Sequence, residues 1–426
     1  MANVAVIGLG YVGLTTALGL AKIGHKVTGV ETNPSRLETL MKGALPIFEP
    51  GLDNELVDSL ANGKLTLTDK LSEAAKEADF FFICVSTPQS ETGEADLSFV
   101  TDAFSSVNQS RKANSIIVLK STVPVGTGDL LSSSTGKDAP LYASNPEFLR
   151  EGSALYDFMN PDRILVGADS HEVANRVMAL YEAIDAPKIV TSVKSAELTK
   201  YAANAYLASR LSFVNDLAAL CEQVGANVDD VVLGMGSDSR IGRSFLSPGP
   251  GWGGSCFPKD TRALVAVAKD NQVSLKIVEA AIAANDDAFD RVVMRLSKFF
   301  DGHINGKVIG ILGLAFKANT DDTRDSPALE VVNRLLGLGC EIRAFDPIAS
   351  GPAVAGFTQT NSVVEAASGA DALLVLTEWN EFKDIDPIAV AKVMKGSVVL
   401  DTRRILNPDS WKQSFSSFSV LGVSDK

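Results

Sequence analysis

Short apolar segments alternate with longer helical patterns over the first part of the chain. These segments are rich in β-branched and aromatic residues and comprise Val4 to Ile7, Lys26 to Val30, Phe80 to Val85, Ser115 to Leu119, and Ile164 to Val166. Such alternation is typical of βαβ units, in which helices connect parallel strands. The first part of the chain is therefore predicted to form a parallel, doubly wound sheet.

A second region with the same pattern begins near Lys307. Its apolar segments are Val308 to Leu312, Glu341 to Phe345, Ala372 to Leu376, and Val398 to Leu400. The sequence therefore predicts an α/β fold with two doubly wound, Rossmann-like domains.

The segment from Ser195 to about Val224 lies between these two regions. It contains no Gly or Pro and is rich in Ala and Leu. It predicts one helix of about 30 residues, roughly 45 Å long at 1.5 Å per residue. Its apolar surface predicts a homodimer built on this helix. The predicted domains are 1–192, a central helix and helical dimerisation region over 193–300, and 301–426.

The composition is that of a globular protein and narrows the range of partners. The chain has 426 residues, of which 46% are hydrophobic and 21% charged, and this length suggests two or three domains. The formal net charge of −13 argues against nucleic acid or an anionic membrane as a partner, because few cations remain to neutralise phosphates. No basic leader precedes Val4 and no apolar run reaches about 18 residues, so we expect a cytoplasmic protein.

The cysteines give no sign of a structural framework. Four of them, Cys84, Cys221, Cys256 and Cys340, are far apart in the chain and are accompanied by three histidines. This distribution fits neither a set of disulfides nor a zinc site. We expect free thiols and no metal.

A glycine fingerprint follows the first apolar segment, with the sequence Gly8-Leu9-Gly10-Tyr11-Val12-Gly13. The first glycine forms the turn, the second lets the backbone approach a pyrophosphate, and the third allows a helix to pack closely on the strand. Glu31 ends the next apolar segment, where a carboxylate accepts hydrogen bonds from the adenosine ribose and repels a 2′-phosphate. The pattern predicts a dinucleotide site that prefers NAD to NADP.

Arg36 leaves alternatives open at this site. A guanidinium can favour the 2′-phosphate of NADP, but with Glu31 in place we expect Arg36 to lie beside the adenosine end of NAD or in solvent.

A glycine-rich loop, Ser247 to Ser255, leads into Cys256 and then a helical pattern with Pro258 near its start. A thiol at a helix N-terminus, beside the ammonium of Lys259, is favoured as the nucleophilic thiolate. Asp260 lies one turn further on, where its carboxylate can serve as a base. For the other three cysteines we expect buried, inert thiols.

Lys200 and Asn204 share one face of the predicted long helix with apolar residues at Leu207, Leu211, Val214 and Ala218. A buried ammonium is costly unless it is paired or used in chemistry, so the pair is a candidate for polarising a substrate oxygen. The alternative is that Lys200 extends to solvent from the start of the helix.

Further polar groups follow apolar strands. Glu147 and Glu151 lie four residues apart after a strand, at the edge where ligands of doubly wound sheets bind; as a general base, Glu147 requires a raised pKa. The alternative is an exposed face with Arg150 as counter-ion. Hydroxyls at Thr87 and Thr122 fall at the same edge. In the second region, the candidates for binding a diphosphate are Lys317, Arg324 and Arg403.

Taken together, these segments resemble the UDP-glucose/GDP-mannose dehydrogenase family over essentially the whole chain. The motifs that carry the resemblance are Gly8 to Gly13, Ser121 to Gly126, Asn145 to Gly152, Ala196 to Asn204, Gly251 to Asp260, Phe316-Lys317 with Thr320 to Ser326, and Leu376 to Trp379. The wording of Gly249 to Asp260 and of Asn160 to Arg163 is more similar to the UDP-glucose branch than to the GDP-mannose branch.

The resemblance implies a site. Cys256 is then the nucleophile, Lys200 and Asn204 stabilise the oxyanion, and three residues organise water and proton transfers, namely Asp260, Glu147 and Thr122. The implied NAD contacts are Gly8, Gly10, Tyr11, Val12, Gly13, Glu31, Arg36, Thr87, Thr122, Glu151 and Arg324. The implied substrate contacts are Glu147, Phe148, Leu149, Lys200, Asn204, Gly253, Lys259, Lys317, Arg403, and Arg240 from a second subunit.

The implied reaction is oxidation of UDP-glucose at C6 to UDP-glucuronate through a thiohemiacetal and a thioester on the cysteine, with two NAD reduced. GDP-mannose or another nucleotide-sugar is the alternative substrate. A β-hydroxyacid or 6-phosphogluconate-type dehydrogenase also pairs a Rossmann domain with a Lys and Asn one turn apart, but it needs no thiol. A non-catalytic nucleotide-binding protein is a third class, and the intact set of polar groups argues against it.

Overall fold

The computed structural model describes residues 1–89, 95–135 and 139–425. All of the predicted site residues lie within these ranges. The chain separates into two compact units, one formed by Met1–Ala203 with Arg262–Val273 and the other by Asn204–Thr261 with Ser274–Lys426. The predicted division at 192/193 and 300/301 stays a prediction.

In the described part of the first unit, eight strands form one sheet. They are β1 Asn3–Ile7, β2 Lys26–Val30, β3 Leu65–Thr68, β4 Phe80–Ile83, β5 Ile116–Leu119, β6 Leu141–Ser144, β7 Ile164–Gly167 and β8 Lys188–Thr191. Their order is β3-β2-β1-β4-β5-β6-β7-β8. The chain thus runs from β1 to one edge and returns to continue on the other side of β1, which confirms the predicted doubly wound sheet.

One strand pair departs from the predicted parallel arrangement, because β6 and β7 pair antiparallel at Ser144 and Gly167. Three strands, β3, β6 and β8, are not among the predicted segments. The residues of β8 are mostly exposed and β3 has one buried residue, so these two strands are short and contribute little to the buried core.

Helices cover both faces of this sheet. They are α1 Tyr11–Lys22, α2 Pro34–Met41, α3 Leu52–Ala61, α4 Leu71–Ala75, α5 Ser98–Ser110, α6 Thr127–Ser133, α7 Ala154–Met159 and α8 His171–Ala179. In β1, Val4 and Val6 belong to one buried cluster while Ala5 and Ile7 belong to another. A strand buried on both faces explains the continuous apolar segments in the sequence.

The long helix predicted between the two regions is present as α9 Val193–Val224, within two residues of its predicted start. Three further helices follow it, namely α10 Val228–Gly236, α11 Phe257–Asp270 and α12 Lys276–Lys298. Within the described ranges, no helix combines the length and the apolar composition needed to cross a bilayer.

A six-stranded sheet forms the core of the second unit. Its strands are β9 Val308–Leu312, β10 Glu341–Phe345, β11 Phe357–Gln359, β12 Ala372–Val375, β13 Val398–Asp401 and β14 Ser417–Val420, in the order β11-β10-β9-β12-β13-β14. All of its pairs are parallel. The connecting helices are α13 Pro327–Gly337, α14 Val363–Ala367, α15 Pro387–Val393 and α16 Pro408–Ser414, with a 3₁₀ helix at Asn380–Asp384. The four predicted strands are confirmed, and β11 and β14 are not predicted, because they contain only one and two apolar residues.

Candidate active site

The glycine fingerprint forms the turn between β1 and α1. Gly8 directly follows β1, and Tyr11 is the first residue of α1. A Cβ added at Gly13 would stand 1.8 Å from the carbonyl oxygen of Gly8, so only glycine permits this close packing of helix on strand. Gly10 faces open space, and Val12 packs against the core of the sheet. The turn therefore leaves room for a phosphate group at the N-terminus of α1.

Glu31 lies directly after β2, the strand next to β1, and is buried. Its carboxylate accepts the backbone N–H of Leu9 at 3.1 Å and that of Asn33 at 2.9 Å. Arg36 Nη1 is 3.3 Å from the same carboxylate. The two residues form a charge pair beside the glycine turn. This position is compatible with the prediction that Arg36 lies beside the adenosine end of NAD.

Two threonines lie at the ends of the next strands. Thr87 follows β4, and Thr122 follows β5. Thr87 Oγ1 donates a hydrogen bond to the carbonyl oxygen of Thr122 at 2.9 Å. Because β4 and β5 follow β1 in the sheet order, these hydroxyl residues lie at the same carboxyl edge as Gly8 and Glu31, as predicted.

A buried carboxylate that sequence analysis does not single out, Glu49, connects α1 with the segment that contains Glu151. The Tyr11 hydroxyl donates to Glu49 Oε2 at 2.8 Å and lies 3.0 Å from the carbonyl oxygen of Arg150. The backbone N–H of Gly152 donates to Glu49 at 2.7 Å. Burial, with the negative charge of Glu49, raises the pKa of Tyr11, so its phenol stays a donor at neutral pH.

Glu147 and Lys200 form a buried ion pair. Lys200 Nζ is 2.8 Å from Glu147 Oε1, and the two residues are 4% and 7% exposed. The backbone N–H of Leu149 donates to Glu147 Oε2 at 2.6 Å. The Lys200 ammonium also lies 5.4 Å from the centre of the Phe148 ring. The segment from Glu147 to Leu149 thus surrounds the head of Lys200.

The ion pair between Glu147 and Lys200 shows whether these two side chains are buried or exposed, which the sequence left open. Lys200 does not extend to solvent, and Glu147 is not on an exposed face, since Arg150 pairs instead with Asp157. Burial acts to raise the pKa of Glu147, but the charge of Lys200 and its hydrogen bonds outweigh burial and lower that pKa. A general base requires the opposite shift. The structure shows Glu147 as the acceptor that holds Lys200. Its role as a general base stays a prediction, which the lowered pKa does not favour.

The glycine loop before Cys256 is held by two helices. Trp252 Nε1 donates to Ser212 Oγ on α9 at 2.8 Å. Asn285 on α12 accepts the Trp252 backbone N–H at 2.7 Å and donates to its carbonyl oxygen at 2.9 Å. Sequence analysis does not identify Ser212 and Asn285, whose only signal is a polar residue at a buried helix position. They fix the loop that presents Cys256.

Cys256 is half-buried and immediately precedes α11, in agreement with the predicted helix N-terminus. Asp260 follows one turn later, its backbone N–H donating to the Cys256 carbonyl oxygen at 2.8 Å. The Asp260 side chain is 1% exposed and accepts hydrogen bonds of 2.6 Å from both Asn204 Nδ2 and Lys259 Nζ. The structure thus brings a thiol, a carboxylate and an amide together at the start of α11.

The diphosphate candidates of the second unit lie near the same loop. Arg403 follows β13 and donates to the carbonyl oxygens of Leu376 at 2.7 Å and Phe316 at 3.2 Å. A Cβ added at Gly249 would be 3.1 Å from Arg403 Nη1. Lys317 is half-buried, with its ammonium 5.6 Å from the centre of the Phe316 ring. Two cations are therefore present on the glycine-loop side of this unit.

Gly253 shows how closely the loop packs on the second sheet domain. A Cβ added there would stand 1.8 Å from the carbonyl oxygen of Asp325, so no other residue fits without displacing the backbone. Arg324, the neighbouring cofactor candidate, has an exposed side chain that pairs with Asp322 at 2.6 Å. Arg240 is exposed and pairs with Asp238 at 2.6 Å. The NAD contact of Arg324 and the inter-subunit role of Arg240 stay predictions.

Comparison with protein-family models gives three matches, one after another along the chain. Residues 2–185 match the NAD-binding domain of the UDP-glucose/GDP-mannose dehydrogenase family. Residues 194–287 match its central domain, and residues 310–408 match its UDP-binding domain.

Similar sequences cover nearly the full length. The UDP-glucose 6-dehydrogenase TuaD of Bacillus subtilis is 42% identical, over 99% of this chain and 93% of that protein. The UDP-glucose 6-dehydrogenase of Rhizobium meliloti is 41% identical, over 99% of this chain and 100% of that protein.

Solved structures with the same architecture include a UDP-glucose dehydrogenase from the archaeon Pyrobaculum islandicum. It is 36% identical and matches with a TM-score of 0.91 over 98% of this chain and 97% of that chain. A UDP-D-ManNAc dehydrogenase from Pyrococcus horikoshii is 27% identical, with a TM-score of 0.89 over 99% of this chain and 100% of that chain.

Proposed function

The chain belongs to the UDP-glucose/GDP-mannose dehydrogenase family, and on that premise we propose that it oxidises UDP-glucose at C6 to UDP-glucuronate. It is an NAD-dependent nucleotide-sugar dehydrogenase. The observation that carries the proposal is the cluster at the start of α11, where the Cys256 thiol stands one turn from a buried carboxylate that Asn204 and Lys259 hold. A β-hydroxyacid-type dehydrogenase has no use for this thiol.

The first unit fits NAD. The turn from Gly8 to Gly13 leaves open space at Gly10, and the buried Glu31 carboxylate stands at the end of the adjacent strand. These residues would hold the pyrophosphate and the adenosine ribose. When bound, NAD supplies the hydride acceptor for each of the two oxidations from alcohol to carboxylate.

The chain's own residues explain how oxidation continues from the aldehyde to the carboxylate. The Cys256 thiolate adds to the C6 aldehyde and gives a thiohemiacetal, whose oxygen Lys200 and Asn204 stabilise. After the second oxidation C6 is held as a thioester on Sγ. Asp260 accepts a proton from the water that opens this thioester, and the thiol is released. Holding the aldehyde covalently keeps it in the site between the two oxidations.

In the second unit, we expect two cations to recognise the diphosphate of the substrate. Lys317 and Arg403 provide positive charge for the diphosphate. The other predicted substrate contacts are Phe148, Leu149, Gly253 and Lys259. Thr122 is predicted to help organise the catalytic water.

The homodimer and the cytoplasmic location are part of the same proposal. Tyr206, Phe213 and Leu220 recur every seven residues along α9, and each is more than half exposed. Residues at this spacing lie on one side of a helix, and an exposed aromatic and aliphatic stripe of this kind favours burial against a second copy.

NADH formation by the purified protein against a panel of nucleotide-sugars tests the proposal. We expect UDP-glucose to give the highest kcat/KM and two NADH per sugar. One NADH per sugar with accumulating aldehyde would contradict the mechanism, whereas a higher kcat/KM for GDP-mannose would overturn the substrate alone.

A further inference from the structure

A second buried lysine lies beside the Glu147–Lys200 pair and has no part in the chemistry above. Lys120 directly follows β5 and is 5% exposed. Its ammonium donates to the side-chain oxygen of Asn145 at 3.1 Å and to the backbone oxygen of Asn145 at 3.3 Å. Both acceptors are neutral. An ammonium buried against neutral oxygens costs stability unless the site uses its charge.

Asn145 is fixed from several directions. Its side-chain oxygen also accepts the Tyr181 hydroxyl at 2.6 Å, and its Nδ2 donates to the carbonyl oxygen of Leu165 at 2.7 Å. Its backbone N–H donates to Leu119 at 2.8 Å. Asn145 therefore ties the end of β6 to β5, to β7 and to the turn after α8. Glu147 is two residues further along, beyond Pro146, so its carboxylate is placed by this network.

The charges of Lys120 and Glu147 also affect each other's pKa. Burial lowers the pKa of Lys120 to about 8, while the negative charge of Glu147 raises it and the positive charge of Lys200 lowers it. The charge of Lys120 in turn lowers the pKa of Glu147. The titratable and charged groups that act on these two residues are Cys84 after β4, Lys200 on α9, Tyr11 on α1, Arg163 before β7, and Tyr181.

We propose that Lys120 is a positioning residue for Glu147. Through Asn145 it holds the Glu147 segment in the position where Glu147 contacts Lys200. Its positive charge keeps Glu147 ionised when the Lys200 ammonium donates a hydrogen bond to a substrate oxygen. This inference rests on the proposed function, since it assigns Lys200 to the oxyanion.

The test compares two variants that disturb the same network. Lys120→Met removes the charge and the hydrogen bonds to Asn145 but keeps an apolar stem of similar length. Tyr181→Phe removes one hydrogen bond to the same Asn145 oxygen and keeps the charge. The pH profile of kcat/KM is measured for both with the nucleotide-sugar that the wild type oxidises best.

We expect the acidic limb of the profile to move up by about one pH unit in Lys120→Met, because Glu147 loses one of the cations that lower its pKa. The limb should stay in place in Tyr181→Phe, and Lys120→Arg, which keeps the charge, should restore it. An unmoved limb in Lys120→Met, or an equal shift in Tyr181→Phe, would overturn the proposal.

A second measurement needs no substrate and so separates this inference from the proposed function. The lysine binds its proton less tightly in the native than in the unfolded protein, so between pH 8 and 10.5 the wild type should gain thermal stability relative to Lys120→Met as the pH rises. A constant difference in Tm over that range would show that Lys120 is not held as a strained, buried ammonium. A wild type that oxidises no nucleotide-sugar, with this Tm trend intact, would overturn the function and not the burial of the charge.

Discussion

Asn204 on α9 donates a 2.6 Å hydrogen bond to the buried carboxylate of Asp260 on α11. The other carboxylate oxygen accepts from Lys259, also at 2.6 Å. The acid is thereby fixed one turn beyond Cys256, with both oxygens occupied in the resting enzyme. Each oxygen keeps a second lone pair that can accept a proton from water or from the thiol, so the amide and the ammonium orient the base without blocking it.

Asp260→Asn should lower kcat by about 100-fold, the size typical of losing a positioned base. The new amide places an N–H₂ group toward either Asn204 or Lys259, both of which are donors. NAD affinity should change little. Steady-state kinetics and NAD titration check this, with the exposed Glu38→Gln as a control variant. Retention of wild-type kcat would remove Asp260 from the mechanism.

Cys256→Ser should lose nearly all acid formation, by about 1,000-fold or more, because a hydroxyl is a far weaker nucleophile than a thiolate at neutral pH. NAD binding should survive, since the fingerprint at Gly8 to Gly13 is intact. NADH formation and fluorescence titration with NAD measure the two effects. The matched control is Cys221→Ser, at a buried cysteine on α9, and this variant should turn over normally.

The wild type should strongly prefer NAD to NADP, and Glu31→Ser should narrow the ratio of their kcat/KM values by about 10-fold or more. The substitution removes the repulsion of a 2′-phosphate and also releases Arg36, which pairs with Glu31 at 3.3 Å. Equal kcat/KM for both cofactors in the wild type would mean that Arg36 dominates the site.

Phe213→Asp should convert a homodimer into monomers, because it places a charge in the exposed stripe on α9. Light scattering at micromolar concentration measures the mass. Leu338→Asp, at an exposed apolar position after α13, should leave the mass unchanged. A monomeric wild type would refute the interface outright.

Comparison of the wild type with Glu197→Gln should reveal that Glu197 is a buried acid that titrates near neutral pH. Glu197 on α9 accepts the backbone N–H groups of Gly126 and Gly128 at 2.7 and 2.8 Å. Burial raises its pKa from 4.5 to about 7, although these hydrogen bonds and Lys194 lower it and Asp129 raises it further.

The native protein therefore binds this proton more tightly than the unfolded chain does. Ionisation between pH 4.5 and 7 should cost at most about 3 kcal/mol of stability. The Tm of the wild type minus that of Glu197→Gln should accordingly fall as the pH rises through this window. Glu182→Gln, at an exposed position, should show no such trend, and a difference that grows with pH would contradict the assignment.

The parts of the site that sequence predicts are those with a local signal. The turn at Gly8 to Gly13, Glu31 at a strand end and Cys256 before α11 are each visible within a few residues, because strand, turn and helix follow one another there. The pairing of Lys200 with Glu147 depends on the sheet order, which brings the end of β6 to the start of α9. The sequence alone therefore does not decide whether Lys200 is buried or exposed.

Other residues have no local signal at all. Glu49 belongs to none of the predicted strands or motifs, and Lys120 directly follows a strand, where a solvated charge is the usual outcome for lysine. Only the fold shows that Glu49 receives the Tyr11 hydroxyl and that Lys120 is buried. The predicted parallel pairing fails at β6 and β7 for a similar reason, since a strand's apolar pattern carries no information about its direction.

The contact of Gly253 with Asp325 has a consequence for change in this enzyme over evolution or in the laboratory. With 1.8 Å between an added Cβ and the Asp325 carbonyl oxygen, the loop that presents the nucleophile and the segment that carries Lys317 and Arg324 form one interlocking surface. Position 253 can accept a side chain only if the backbone at Asp325 moves with it. A graft intended to alter nucleotide recognition should therefore keep Gly253 and the Asp325 backbone unchanged, or replace both together.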